Sequence, residues 1–248
     1  MTLPAGPTSN PSANLFTGAM IAVLLLVVCL FVLPPIYPAR NTPPKTRTLN
    51  NLRNVALAVQ SYAAVTNGNM PAGGSPDESL PLWSWQTTLL PYLEQNALYR
   101  RIDFDRPWNA PGNAELFAAD LAILLSPRER NREPVDGFAI THFAGNSRVM
   151  QPREWMTIQE VSQKDGGHCT ILMGEIGTGF PPWGRPGNTR DPARGLKGGP
   201  DQFGNSEHGS CAIMFVGGNG KFLNPEIARH VLELLADPDN GAPNEDEY

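Results

Sequence analysis

Five side chains have the chemistry to hold a metal ion: His142, His168, His208, Glu175 and Glu207. Imidazole and carboxylate ligands form sites when they recur at helix or turn spacing, as in H-E-x-x-H, C-x-x-C or H-x-H, and none of these patterns occurs here. Histidines scattered over loops and strand ends are the plainer reading. Glu207-His208-Gly209 is the most suggestive group, because it directly precedes a strand-like run. A serine nucleophile has no G-x-S-x-G, and Gly209-Ser210-Cys211 opens a strand rather than a strand-to-helix elbow. Gly174-Glu175-Ile176-Gly177-Thr178-Gly179 is glycine-rich but follows a strand without opening a helix, so it is no dinucleotide loop. Gly220-Lys221-Phe222 is no P-loop, lacking the upstream glycine and the Ser or Thr after lysine. Trp83, Trp85, Tyr92, Tyr99, Phe104 and Trp108 could form a carbohydrate platform, although aromatics at helical spacing more often build core. The expectation is a protein that is not an enzyme and needs neither cofactor nor metal.

The stretch that would position everything else is Leu15 to Leu33, LFTGAMIAVLLLVVCLFVL. No Asp, Glu, Lys or Arg precedes Arg40, and a helix over this run would reach about 28 Å, close to the thickness of a bilayer's hydrocarbon core. A cleaved signal peptide would want a basic flank, a shorter core and small residues after it, where Pro34-Pro35 stands. The run is therefore predicted to be an uncleaved single-pass anchor, with the membrane as a partner. The chain has 248 residues, 25 of them Pro and 24 Gly, which implies a loop-rich domain beyond the anchor. A net charge of −5 gives no electrostatic reason for nucleic-acid binding. Cys29 lies in the anchor, leaving Cys169 and Cys211 as the one pair a disulfide could join; two buried free thiols suit the sequence equally.

In chain order, residues 1–14 read as a disordered leader, 15–33 as the anchor, 34–48 as a proline-rich linker, 49–236 as the folded domain and 237–248 as an acidic disordered tail. Thr48 is placed to cap a helix whose face is Leu49, Leu52, Val55, Ala56, Val59 and Tyr62, ending at Asn67-Gly68-Asn69. Residues 85–101 are helical in pattern, with Pro91 as a kink. Asn113 could cap a helix over 114–125, and the RERNRE stretch after it reads as a solvated loop. Phe138–Phe143, Cys169–Ile176 and Cys211–Val216 read as strands. Asn219-Gly220 predicts a type I′ hairpin after the last of them. The connection 177–204 is long enough to be mobile or functional, and Pro225–Leu235 reads as a last helix.

Several blocks together resemble a large planctomycete family of unknown function with a pilin-like N-terminus. They are Asn50 to Arg53; Ser84-Trp85 with Leu89-Leu90-Pro91-Tyr92-Leu93-Glu94-Gln95; Pro107-Trp108 followed by Asn113; Cys169 to Gly174-Glu175; and His208-Gly209 through Leu223. The likeness covers about 49–223, and the block from Trp85 to Asn113 is its specific part. It implies an α+β fold similar to type II secretion pseudopilins: an N-terminal transmembrane helix, then an amphipathic helix packed on a small antiparallel β-sheet. The chain departs from the family in having no Glu in the apolar run, Ser126-Pro127 where Cys-Pro is common, and Gly218-Asn219-Gly220-Lys221 in the last hairpin.

The resemblance further implies a non-enzymatic protein of the inner membrane, with its domain on the periplasmic side. It would act by self-assembly or by contact with other pseudopilin-like or envelope proteins. Arg40, Lys45, Arg47 and Arg53 beside the anchor argue for the opposite orientation, and the resemblance is preferred. The rival function is an envelope ligand-binding module, with a pocket under the 177–204 loop where Trp183 lies over Glu175 and His208.

Overall fold

A computed structural model describes residues 42–73, 83–151 and 156–248, together with Met20. The expected anchor over 15–33 lies outside the described residues, Met20 apart, as do the leader and most of the linker. Among the described residues no helix is long and apolar enough to cross a membrane, so the expected transmembrane helix is without support. The sheet is also not the expected antiparallel one. Residues 43–248 form one unit, an α+β domain around a five-stranded mixed sheet.

Helix α1 runs Pro44–Val65. It begins inside the stretch assigned to the linker, with Pro43 as N-cap and Pro44 in the first turn, where a missing N–H costs nothing. Thr48 is therefore not the cap: its hydroxyl bonds Pro44 O and stands 2.9 Å from the Ser126 hydroxyl. The predicted face is the buried one, with Leu52, Val55, Ala56 and Val59 all at or near zero exposure. The helix stops as foreseen, because Asn67 and Gly68 both take positive φ.

Residues 85–101 do not form one kinked helix. Ser84 caps α2 (Trp85–Thr88), a 3₁₀ turn holds Leu90–Leu93, Glu94 turns left-handed at φ 60°, and α3 (Asn96–Tyr99) follows. Pro91 supplies no donor at the point where α2 would continue. Helix α4 covers Pro111–Phe117, with Asn113 buried inside it instead of capping it. The Asn113 amide accepts from Asp103 N–H and donates toward the carbonyls of Asp103, Arg106 and Pro107, which closes the preceding loop.

The strands are β1 (Phe143–Asn146), β2 (Ile171–Glu175), β3 (Thr189–Arg190), β4 (Cys211–Phe215) and β5 (Gly220–Leu223), ordered β3-β1-β2-β4-β5. Short α5 (Ile158–Gln163) precedes β2, and α6 (Arg229–Ala236) follows β5. Three pairings are antiparallel, but β3 lies parallel to β1. The first strand sits later than Phe138 because the backbone of 139–142 bonds to Phe117, Pro181 and Leu124 instead of a ladder. The β4–β5 hairpin forms as predicted, yet its single positive φ is at Gly218, whose N–H meets Phe215 O. Asn219 spends its side chain on His168 O.

Alternate residues of β4 serve two cores. Ala212 and Met214 face α1 with Trp85, Phe117 and Trp183, while Cys211, Ile213 and Phe215 face Phe203 and the Val231, Leu232 and Leu235 of α6. Both faces are covered, which is why CAIMFV shows no polar alternation. Trp183 therefore belongs to the core: it lies 4.5 Å from the Phe117 ring and donates to Ala119 O, and covers no pocket beside Glu175. The last helix starts at Arg229 rather than Pro225. The tail also packs: Asp165 accepts from the N–H groups of Asn240 and Gly241, and Tyr248 lies on Phe215 under the Lys221 ammonium.

Asn113→Ala should lower unfolding stability by about 2 kcal/mol, because three loop carbonyls and one N–H lose their common partner. Urea unfolding measures it, and Asn113→Asp should do no better, since a carboxylate would face carbonyls.

Candidate functional site

Three segments meet at the end of β2. The turn after the Ala122–Leu124 3₁₀ helix brings Ser126 and Arg128, β2 ends on Glu175, and the turn before β4 brings His208 and Ser210. Arg128 Nη1 lies 2.6 Å from Glu175 Oε1, with the two side chains 8% and 2% exposed. The carboxylate also accepts from Ala212 N–H at 3.1 Å and from the Ser126 hydroxyl at 3.4 Å. The other Arg128 nitrogen donates to His208 O and the Ser210 hydroxyl.

The two histidines flank this pair without acting on it. His142 Nδ1 accepts the Ser126 backbone N–H, which puts its proton on Nε2, directed at Asn131 O. Its free lone pair is thus spent on an amide, and no Ser–His nucleophile pair exists here, although serine and histidine are neighbours. His208 donates Nε2–H to Arg128 O, and its buried Nδ1 has no partner among the described residues. Burial lowers the pKa of both histidines, and Arg128 pushes His208 further down. Glu175 moves the other way: burial lifts it to about 7, against the pull of Arg128, the Ala212 amide and Ser126.

Cys169 and Cys211 are both buried and free, so the disulfide alternative is not realised. Cys169 donates to Asp165 O, Cys211 lies against Glu175 O, and burial raises both thiols, far from a reactive thiolate. Of the metal candidates, Glu175, His142 and His208 come together, Glu207 lies exposed on the rim beside His208 and Arg128, and His168 is exposed elsewhere. Among the described residues no group of three His, Cys, Asp or Glu side chains could hold an ion.

The motif residues fall into two sets. Trp85, Pro107, Trp108, Asn113 and Gly174 build structure: Trp85 Nε1 bonds Asn188 O, Trp108 packs on Phe138, and a Cβ at Gly174 would collide with Ile213 and Phe203. Gly209 holds the left-handed turn, φ 61°, after His208. Pro91 shapes the 3₁₀ turn that displays Tyr92, Glu94 and Gln95 along a groove of about 650 Å³ beside α1. Leu57 of α1 lies in this groove and is 52% exposed.

Residues 45–164 match the model of a family described as a protein of unknown function, DUF1559. No curated protein and no solved structure matches the chain. The DUF1559 match spans α1 to α5, so it contains the whole groove and Arg128 but ends before β2 and Glu175. The match is a likeness to a family of unknown function and says nothing about pseudopilins.

Sequence reasoning missed Arg128 and Ser126. RERNRE alternates charge as a solvated loop does, and only Glu175, an acid inside an apolar strand pattern, signalled that a cation must come to it.

The Glu175 shift has a definite pH signature. Its pKa is raised above the unfolded value of 4.5, so its contribution to stability is complete below 4.5 and is lost as pH climbs through about 7. The lowered histidines act oppositely, so the comparison must be with Glu175→Gln. Between roughly pH 5 and pH 8 the unmodified protein should lose up to about 3 kcal/mol relative to that variant in urea unfolding. Parallel pH profiles would contradict the shift.

Proposed function

We propose that the chain is a non-catalytic interaction domain of the cell envelope, acting by self-assembly or by docking onto another envelope protein, as a pseudopilin-like subunit does. The observation that carries this reading is the groove between α1 and the Leu90–Gln95 turn. Leu57, which lines the groove, is 52% exposed, and Val65 at the end of α1, outside the groove, is 68% exposed. The Glu94 backbone is held left-handed at the groove's rim, and all the lining residues fall within the DUF1559 match.

Two further points support it. The reactive side chains at the end of β2, His208 Nδ1 excepted, are committed to internal bonds, which suits a scaffold. Helix α1 packs its buried face along β4, which leaves Asn54 and Leu57 to line the groove.

A photo-crosslinking amino acid placed at position 57 of the full chain tests the reading in cells. A discrete adduct is expected there, of twice the chain's mass for self-assembly or of another mass for a different protein. The same residue at Arg185, exposed and outside the groove, should give none. Absence of an adduct at 57, or equal labelling at both positions, would overturn the proposal.

A further inference from the structure

A second cleft, of about 380 Å³, opens where β1 and β3 end side by side. These are the parallel strands of the sheet, and Ser147 and Asp191 are the residues that follow their carboxyl ends. The cleft is lined by Ser147, Thr189, Arg190, Asp191, Arg194 and Asp201.

Its donors outrun its acceptors. Arg190 is only 9% exposed, and its Nη groups are taken by the carbonyls of Thr178, Gly179, Gly199 and Gln202. Its Nε–H is left with no acceptor among the described residues. The Thr189 methyl faces the backbone at Gly73 and Gly145, while its hydroxyl and that of Ser147 have no partner among the described residues. Both carboxylates of the cleft are committed to other arginines. Asp191 is gripped by Arg148 through two bonds, at 2.9 and 3.0 Å, and also accepts from Ala193 N–H. Asp201 pairs with Arg194 at 3.1 Å.

We propose that this cleft binds a small oxyanion, a carboxylate or a phosphate, on the hydroxyls of Ser147 and Thr189, the Arg190 Nε–H and the Arg194 guanidinium. All four are donors, two of them cationic, so the matching ligand is an acceptor-only anion. Asp201 holds the place of that anion at Arg194. The pair is exposed, 61% and 74%, and such pairs are weak enough for an incoming oxyanion to displace. The site is independent of the Leu57 groove, so either proposal can fail alone.

Arginine Nε–H NMR of the full chain tests it, titrating inorganic phosphate and, separately, acetate and succinate at constant ionic strength in chloride. A saturable shift of the Arg190 Nε–H is expected. Thr189→Val should weaken binding about tenfold, the loss of one hydrogen bond to a charged ligand. Asp201→Asn, at an exposed position that leaves folding intact, should tighten binding by removing the competitor. A response to phosphate alone would assign a phosphoryl ligand, and one to acetate or succinate alone a carboxylate. The proposal is overturned if Arg190 shows no saturable shift with any of them, or if Asp201→Asn leaves the affinity unchanged.

Discussion

A carboxylate at the end of a buried strand must be met by a cation, and the contact between Arg128 and Glu175 is where this fold meets that demand. Placing both charges out of water costs several kcal/mol per ion, and their attraction does little more than offset it. The raised pKa of Glu175 expresses the same balance from the acid's side. What the pair supplies is registration. Arg128 draws the turn after the Ala122–Leu124 helix onto the ends of β2 and β4, and Ser126 carries the link on to Thr48 of α1. One polar cluster thereby joins the helix, the turn and the sheet, which are otherwise held by non-directional apolar contact.

Arg190 meets the same demand with backbone carbonyls as its bonded partners and the Asp201 carboxylate acting on it through space. Its guanidinium is surrounded by backbone carbonyls of 178–202, so the long connection expected to be mobile or functional is drawn around a buried cation. Burial lowers its pKa to about 10, which leaves it charged at neutral pH. The two arginines divide the molecule's chemistry. Arg128 is bound through its Nη groups to Glu175, His208 O and Ser210 and serves the fold, while Arg190 lines a cleft.

Much of this was legible in the sequence wherever one periodicity ruled. The buried face of α1 follows from Leu52, Val55 and Val59 at helical spacing, and β2, β4 and the hairpin follow from apolar runs bounded by glycine. Legibility failed where tertiary partners overrode local pattern. Residues 85–101 look like one amphipathic helix, yet Pro91 and the left-handed Glu94 break them into three pieces that wrap the core. A two-residue strand such as β3 carries no periodicity at all, so the parallel pairing with β1 could not be foreseen. The tail looked disordered by composition but is tied down by Asp165, which accepts from Asn240 and Gly241, and by Tyr248 on Phe215. At the candidate site Glu175 and His208 were visible as residue types, but the partner that explains them lies in a stretch that composition assigns to solvent.

The most direct test of the clamp is a double-mutant cycle on Arg128 and Glu175, read by reversible chemical unfolding. Removing either partner leaves the other charge buried alone, so Arg128→Met and Glu175→Met should each cost about 3–5 kcal/mol. The double variant should be far less destabilised than their sum, giving a coupling of at least about 2 kcal/mol. Single variants within about 1 kcal/mol of the unmodified protein, or costs that simply add, would contradict the pair as the constraint on which the fold depends.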